Sequence, residues 1–447
     1  MIFSRYKQIK KQHNPIFIPI TITFLVSLIY GITDTYIVSL INEQSVAAVG
    51  LVQPFSLLAF ILIGMISSGT GVPLSKAFGA KRKERFKKKL FTGIIISYVV
   101  TLIVFLVFYF FRDYISMIYN NMEEIRFYYD EYYYYWVFTI LLIPIQSMFS
   151  SVLNLANRAS IATKIHMISV IINLIFDYVL IFGIGNLEGM GIGGAAIATF
   201  ISMLVSIIIQ IIVLRKENIF ILTLKLKYII VIGKKILHFV LPNMVQGLSV
   251  PVGLIFLNSL VTKYSIEEVA AFTIIFRLEL IYLSLAIGAY VAMGILISRN
   301  MGQKKYKKIQ YIYNYVNKLV FSWAIFVFVF SLVFGNFIGS LFFENEKSIE
   351  YFTISWPLFN ISLLFWWFIM SSNNLFTNLG KPFIATKINI SRISLGLIIC
   401  PLIGSYLFGF YGLILGVSIG TLISSLYVYY LWKKNNIQEK VSIKRIF

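Results

Sequence analysis

The sequence predicts an all-α polytopic membrane protein, with twelve transmembrane helices in two six-helix lobes related by pseudo-two-fold symmetry. Three observations predict it. Of 447 residues, 59% are hydrophobic and 13% charged, with a mean hydropathy of +0.84; a soluble domain carries roughly 25% charged residues. The apolar runs are long enough to cross about 30 Å of hydrocarbon, which takes roughly 20 helical residues. A shift of 223 residues lays one half of the chain over the other.

In chain order, the apolar runs predict helices at 15–41, 46–78, 90–111, 133–156, 163–183 and 191–214, then at 237–261, 268–298, 316–342, 351–378, 384–408 and 411–432. These define an N-lobe at 15–214 and a C-lobe at 237–432. A basic linker joins them at 215–236, with an apolar stretch suited to lying along the membrane interface. Basic tails fall at 1–14 and 433–447. The polar, basic start has no short apolar stretch closed by a cleavage site, so no signal peptide is expected and the first helix itself targets the chain.

Twelve spans put both termini on one side of the cell membrane, and the positive-inside rule makes that side cytoplasmic. Of the 39 basic residues all but five fall there. Arg112, Arg126, Lys263 and Lys347 lie outside, and Arg277 is the one basic residue placed in mid-membrane. Among the 18 acids, only Glu84, Glu217 and Glu439 share the basic side, while Asp34, Asp177 and Glu279 fall within spans.

A net charge of +21 could suggest nucleic acid, but the Lys and Arg are distributed between apolar segments rather than gathered on one soluble face. They are expected to meet anionic lipid headgroups instead. The tyrosine-rich "YYDEYYYYWVF" at 128–138 reads as an aromatic belt at the outer interface, with a substrate vestibule as the alternative. The single cysteine, Cys400, lies in an apolar run and supplies neither a disulfide framework nor a metal cluster. His13, His166 and His238 fall at or outside inner helix ends, where solvated or interfacial roles are expected. The stretch "GIGNLEGMGIGG" has no βαβ setting and reads as a tight outer turn. No nucleophile, triad or cofactor motif points to an enzyme.

At the 223-residue offset Pro19 falls on Pro242, Gly79 on Gly302, and the "IATK" of 161–164 on that of 384–387. Six helices per half return the chain to its starting side, so the halves are parallel repeats. The intramembrane acids break the repeat. Asp34, Asp177 and Glu279 align with Leu257, Cys400 and Ser56, so none belongs to the scaffold that both halves share.

A carboxylate at bilayer depth costs about 2.5–3.5 kcal/mol on insertion scales, and such groups face protein or a water-filled path. Counted at 1.5 Å per residue from the loop acids Glu43, Glu188 and Glu268, all three lie about 13–17 Å deep. Asp34 and Asp177 can therefore share a site. Tyr30 lies four residues before Asp34 and Asn173 four before Asp177, each pair on one helix face. Two carboxylates, a carboxamide and a phenol supply oxygens for a desolvated Na⁺ or a network that holds H⁺. The alternative is that each acid only holds helix packing. Glu279 stands near Arg277 in sequence but not on its face, and pairing across the lobe remains open. Gln53, Gln246, Asn373 and Asn374 are weaker cavity-lining candidates, as are Gln146, Asn154 and Asn258. Pro19 removes a backbone hydrogen bond and lets the first helix bend.

With these residues in hand, the chain resembles the multidrug and toxic compound extrusion (MATE) family over nearly its whole length. "ITDTYIVSL", "SVAAVGLVQPF" and "SKAFGAKRKE" resemble the family's opening pattern, and "NLIFDYVLIFG" with "GMGIGGAAIAT" its fifth and sixth helices. The resemblance implies a V-shaped pair of lobes exporting cationic or amphipathic organic compounds in exchange for H⁺ or Na⁺, with no cofactor. It gives Asp34, Asn173, Asp177 and Thr199 the N-lobe coupling roles. The chain departs from branches with C-lobe acids, having Asn373 and Asn374 in the tenth helix. A lipid-linked oligosaccharide flippase of the same superfamily is the competing expectation, and it calls for a cavity rich in Arg and Lys. A channel or receptor would need a pore or a signalling domain for which the loops leave no room. A monomer is expected, since one chain already forms the cavity.

Overall fold

The computed structural model describes residues 2–112, 123–185, 187–217, 227–261 and 263–435. Apart from a two-residue β-hairpin, β1 (Gly183–Ile184) against β2 (Leu187–Glu188), every regular element in them is helical. The first half contributes α1 (Ile2–Ser39), α2 (Glu43–Gly79), α3 (Lys83–Phe110), α4 (Glu123–Thr139), α5 (Ile143–Leu155), α6 (Ala159–Phe182) and α7 (Gly191–Lys216). The second half contributes α8 (Lys227–Val261), α9 (Ile266–Gly302), α10 (Tyr306–Phe342), α11 (Glu346–Asn360), α12 (Leu363–Leu379), α13 (Pro382–Ile393) and α14 (Cys400–Lys434), with a π-helical turn at Ser394–Ile399.

Ten helical stretches among the described residues are long and apolar enough to cross a membrane, and the bent pair α4–α5 makes an eleventh. The last stretch, Pro382–Lys434, is divided at Phe408–Gly409 by non-helical backbone, which brings the spans to the expected twelve. The expected single helix at 133–156 is in fact α4 and α5, bent by 46°. Pro144 stands in the first turn of α5, where its missing N–H costs nothing but cannot continue the preceding helix. The run at 351–378 is likewise divided into α11 and α12, a few residues after Pro357. Helices extend past their apolar cores into basic sequence: α3 starts at Lys83 and α10 at Tyr306.

The 223-residue offset is structural as well as sequential. Glu43 opens α2 and Ile266 opens α9; Lys83 and Tyr306, Glu123 and Glu346, and Ala159 and Pro382 open their helices in the same register. Lys81 and Lys304 both carry positive φ, +55 and +58. Tertiary hydrogen bonds repeat too. The hydroxyls of Thr23 and Thr163 lie 2.8 Å apart, and their counterparts Gln246 and Thr386 are joined by Nε2–H donating to Oγ1 at 3.2 Å.

The chain divides into two compact units, one of residues 18–244 and one of residues 1–17 with 245–447. The core of the first packs Ile63, Phe108, Tyr129, Tyr133, Trp136 and Ile140. Tyr129 and Tyr133 belong to the expected aromatic belt, yet they are 1% and 2% exposed and stack at 5.4 Å. Only other faces of α4, such as Tyr134, remain exposed, because consecutive residues of a helix point in different directions. The second unit packs Phe272, Phe352, Trp356, Phe359 and Phe410.

The segment 1–14, expected as a tail, is helical from Ile2. His13, expected in solvent or at an interface, is fully buried. Its Nε2 lies 3.2 Å from the Ala289 carbonyl oxygen, and its ring meets Phe17 and Tyr315. The reason is that the first turns of α1 pack into the unit of residues 245–447.

At the end of the second half the chain folds back on itself at Gly409, whose φ of +61 costs a glycine little and an L side chain about 1–2 kcal/mol. Gly412, Gly416 and Gly420 then face the backbone of Gly404, of Cys400–Pro401 and of Leu395–Gly396. One glycine per turn lets the two arms approach to backbone contact, as small-residue interfaces do in membranes.

Candidate ion-coupling site

The site is built on α6. Its buried stripe is Ser169, Asn173, Asp177 and Ile181, spaced by four, while Ile168, Ile171, Ile175 and Tyr178 are exposed. In a lipid solvent the apolar face turns outward and the polar face inward, so three polar residues on one face mark the side that meets protein. Asp177 is 0% and Asn173 2% exposed. Asp34 and Tyr30 on α1 and Thr199 on α7 are half-buried.

These side chains converge. The carboxyl groups of Asp34 and Asp177 lie within hydrogen-bonding reach of each other. The Asn173 amide is best satisfied with its nitrogen donating to Asp177 Oδ2 at 2.9 Å and to the Tyr30 hydroxyl at 2.8 Å, and its oxygen accepting from the Thr199 N–H at 3.1 Å. The reverse orientation leaves two 3.4 Å contacts, to Asp177 Oδ1 and Thr199 Oγ1. Amide orientation follows from the network rather than from the heavy atoms alone. Thr199 Oγ1 also donates to the Ala195 carbonyl at 3.1 Å, anchoring it on α7.

Two carboxyl groups can hydrogen-bond only if one carries a proton, and without a proton they repel. Among the described residues neither acid has a Lys, Arg or His within ion-pairing distance; the acids act on each other and on the phenols of Tyr30 and Tyr132. A mobile cation is thus the natural partner. A proton shared between the carboxyls serves, and so does a dehydrated Na⁺ among oxygens of Asp34, Asp177, Asn173, Tyr30 and Thr199, since hard cations take oxygen ligands.

Tyr132 was not singled out from the sequence. It sits in the tyrosine run of α4 and packs beside Val38, Ile181 and Ala195, but six tyrosines in one short stretch gave no means of choosing it.

The weaker candidates lie apart from this site. Gln53 and Asn258 are exposed. Gln246 ties α8 to α13 through Thr386, and Gln146 Nε2 donates to Ser206 at 3.3 Å. Asn374 Nδ2 donates to the Tyr290 carbonyl at 3.0 Å, holding α12 to α9. Asn373, beside it, is half-buried. Pro19 lies within unbroken α1, and its carbonyl accepts from Thr163 Oγ1 at 2.8 Å and Thr23 Oγ1 at 3.0 Å. Arg277 is exposed, and the basic group that acts on Glu279 is Arg392. Arg277 is therefore not the only basic residue at depth. Arg392 is ten residues into α13 from Pro382, about 15 Å along the axis; the count applied to the acids would have found it.

The MatE family model matches residues 19–179 and 242–402, two segments at the 223-residue offset and together more than half the chain. A FAD transporter of Shewanella oneidensis is 21% identical over 93% of this chain and 92% of its own length. The multidrug export protein MepA of Staphylococcus saprophyticus is 27% identical over 61% of each chain. The crystal structure of the Vibrio cholerae MATE transporter VcmN in the bent form has a TM-score of 0.89 with 21% identity, covering 99% of this chain and 100% of that one.

Proposed function

The chain belongs to the MatE family of membrane transporters rather than to any class of enzyme, and from that premise we propose that it exports cationic or amphipathic organic compounds from the cell by antiport with H⁺ or Na⁺. The observation that carries the reading is the meeting of Asp34 and Asp177 inside membrane-spanning helices, with Asn173 bonded to one acid and to Tyr30. Loading of a cation at this pair alternates with substrate binding. Pro19 lets α1 bend as the site loads, because proline removes a backbone hydrogen bond there. The protein works as a monomer in the cell membrane among its lipids, without a cofactor and with both termini cytoplasmic, as the distribution of Lys and Arg favours.

The test is ethidium efflux from proteoliposomes or everted vesicles under an imposed pH or Na⁺ gradient. Gradient-driven efflux in the wild type, lost in Asp34→Asn protein that still reaches the membrane, is the expected result. Full efflux by Asp34→Asn would overturn the coupling role.

The likeness to a FAD transporter favours a second substrate class, aromatic molecules that also carry anionic groups. Inhibition of ethidium efflux by FAD would bring that class in, and indifference to FAD would leave it out.

A further inference from the structure

Three helices of the unit 18–244 bring lysines together at the membrane surface that carries most of the basic residues. The helices pack closely there. Ile236 and Val240 of α8 meet Ile66 of α2, with Ile96 and Val100 of α3 against them. A Cβ on Gly69 would lie 2.8 Å from the Cα of Val240, so α8 rides on the backbone of α2. These contacts fix the lysines as well. Lys76 Nζ stands 5.4 Å from the centroid of the Phe239 ring, and Lys235, four residues earlier on α8, shares the face of that ring. Lys89 of α3 donates from Nζ to the Pro73 carbonyl at 2.9 Å. A helical carbonyl points along the axis toward the N–H four residues on, so the Lys89 ammonium lies beside the turn that carries Lys76.

The cluster has no counter-charge among the described residues. Lys76, Arg82, Arg85, Lys89 and Lys235 form no ion pair in them, and Glu84, the acid of this loop, is taken by Lys87 at 3.1 Å. The charges that act on Lys89 are all of its own sign, from Arg85, Lys235 and Arg82. Lys76 and Lys89 are half-buried. An ammonium has three donors, of which Lys89 spends one on Pro73, while Lys76 meets an aromatic face. Charge that only orients the chain needs no burial and is called for in both halves. At the 223-residue offset Lys76 does match Arg299, but Lys89 falls on Ile312 and Lys235 on Gln12. Two of the three lysines are thus additions to one half.

We propose that Lys76, Lys89 and Lys235, with Arg82 and Arg85 around them, bind the headgroup of a membrane phospholipid that carries two phosphates. Basic pockets between membrane helices suit such headgroups, and phosphate oxygens accept the ammonium donors that the protein leaves unused. Five positive charges exceed what a single phosphate balances. Deeper along α8, Leu237 and Leu241 are exposed, one turn apart on one face, where an acyl chain can lie. Bound there, the lipid holds together three helices whose charges otherwise repel. Neither substrate export nor ion coupling is involved, so the site is tested apart from both.

Native mass spectrometry of the purified full-length protein in detergent measures binding as cardiolipin, phosphatidylglycerol, phosphatidylcholine and inorganic pyrophosphate are each titrated. Wild type is expected to hold one cardiolipin roughly fivefold more tightly than phosphatidylglycerol, and to hold phosphatidylcholine and pyrophosphate far more weakly. The triple variant Lys76→Gln, Lys89→Gln, Lys235→Gln should weaken cardiolipin by about tenfold or more. The triple variant Lys304→Gln, Lys305→Gln, Lys307→Gln removes the same charge from the matching loop of the other half and should change it less than about twofold. If the first triple variant does not fold, Lys235→Gln alone, at an exposed position, should still weaken cardiolipin by roughly fivefold. Equal losses in the two triple variants, no loss in either, or a Lys235→Gln protein that binds like wild type would each overturn the proposal. So would a wild type with no preference for cardiolipin over phosphatidylglycerol, or one that binds pyrophosphate as tightly as the lipid.

Discussion

The hydroxyl of Thr163 on α6 donates 2.8 Å to the carbonyl oxygen of Pro19 on α1, and lies equally close to the hydroxyl of Thr23. The helix that carries Asp34 is thus fastened to the helix that carries Asp177 at a proline. Thr163→Val keeps the shape and removes both bonds. A membrane-buried hydrogen bond contributes about 0.6 kcal/mol on average, so the variant should be about 1 kcal/mol less stable. Its thermal midpoint in detergent should fall by a few degrees, and Thr163→Ser should restore it.

Asp34 and Asp177 act as one unit if they share one ion. Asp34→Asn and Asp177→Asn should each reduce gradient-driven efflux at least tenfold, and the double variant should be no worse than either single one. Groups that act together are non-additive in this way. Multiplying defects would mean two independent sites, and initial efflux rates from the four proteins decide between them.

The pH dependence has a definite sign. A proton bridging the two carboxyl groups is lost as pH rises, and the vacated oxygens are then open to Na⁺. Proton-driven efflux should therefore fall as the pH of the loading side rises, while the Na⁺ concentration for half-maximal efflux should drop over the same interval. Dye efflux measured against pH and Na⁺ together checks both. A Na⁺ requirement independent of pH would separate the sodium ion from the carboxyl pair.

Gly416→Val puts side-chain atoms where the backbone of Cys400–Pro401 lies. Overpacking costs about 1–3 kcal/mol even where neighbours can shift, and here the neighbour is main chain. Fluorescence-detected size-exclusion chromatography should show loss of the monodisperse peak. Ile419→Val on the exposed face of the same helix should leave the peak unchanged.

Much of the architecture could be read from the residues because lipid imposes few solutions: apolar length gives the spans, and the offset gives their arrangement in halves. Asp34 and Asp177 could be paired from depth alone, since 1.5 Å per residue is a reliable ruler along a helix. What the ruler does not measure is direction around the helix. It could not tell that Tyr132 turns toward the acids while Tyr129 and Tyr133 enter the core. His13 escaped for a different reason, because its burial depends on Ala289 and Tyr315, far away in the chain. The breaks at Leu142 and at Gly409 are local backbone events that a run of apolar letters does not record.

The division into units does not coincide with the division into repeats. Residues 1–17 pack with the chain from Val245 onward, and Ile236 and Val240 of α8 pack with Ile66 in the other unit. During synthesis residues 1–17 therefore emerge long before the neighbours they pack with, and neither half-molecule cut between Glu217 and Lys227 contains all of its own unit. A gene divided there should yield two fragments that accumulate only when made together, each depending on the other for its opening helix.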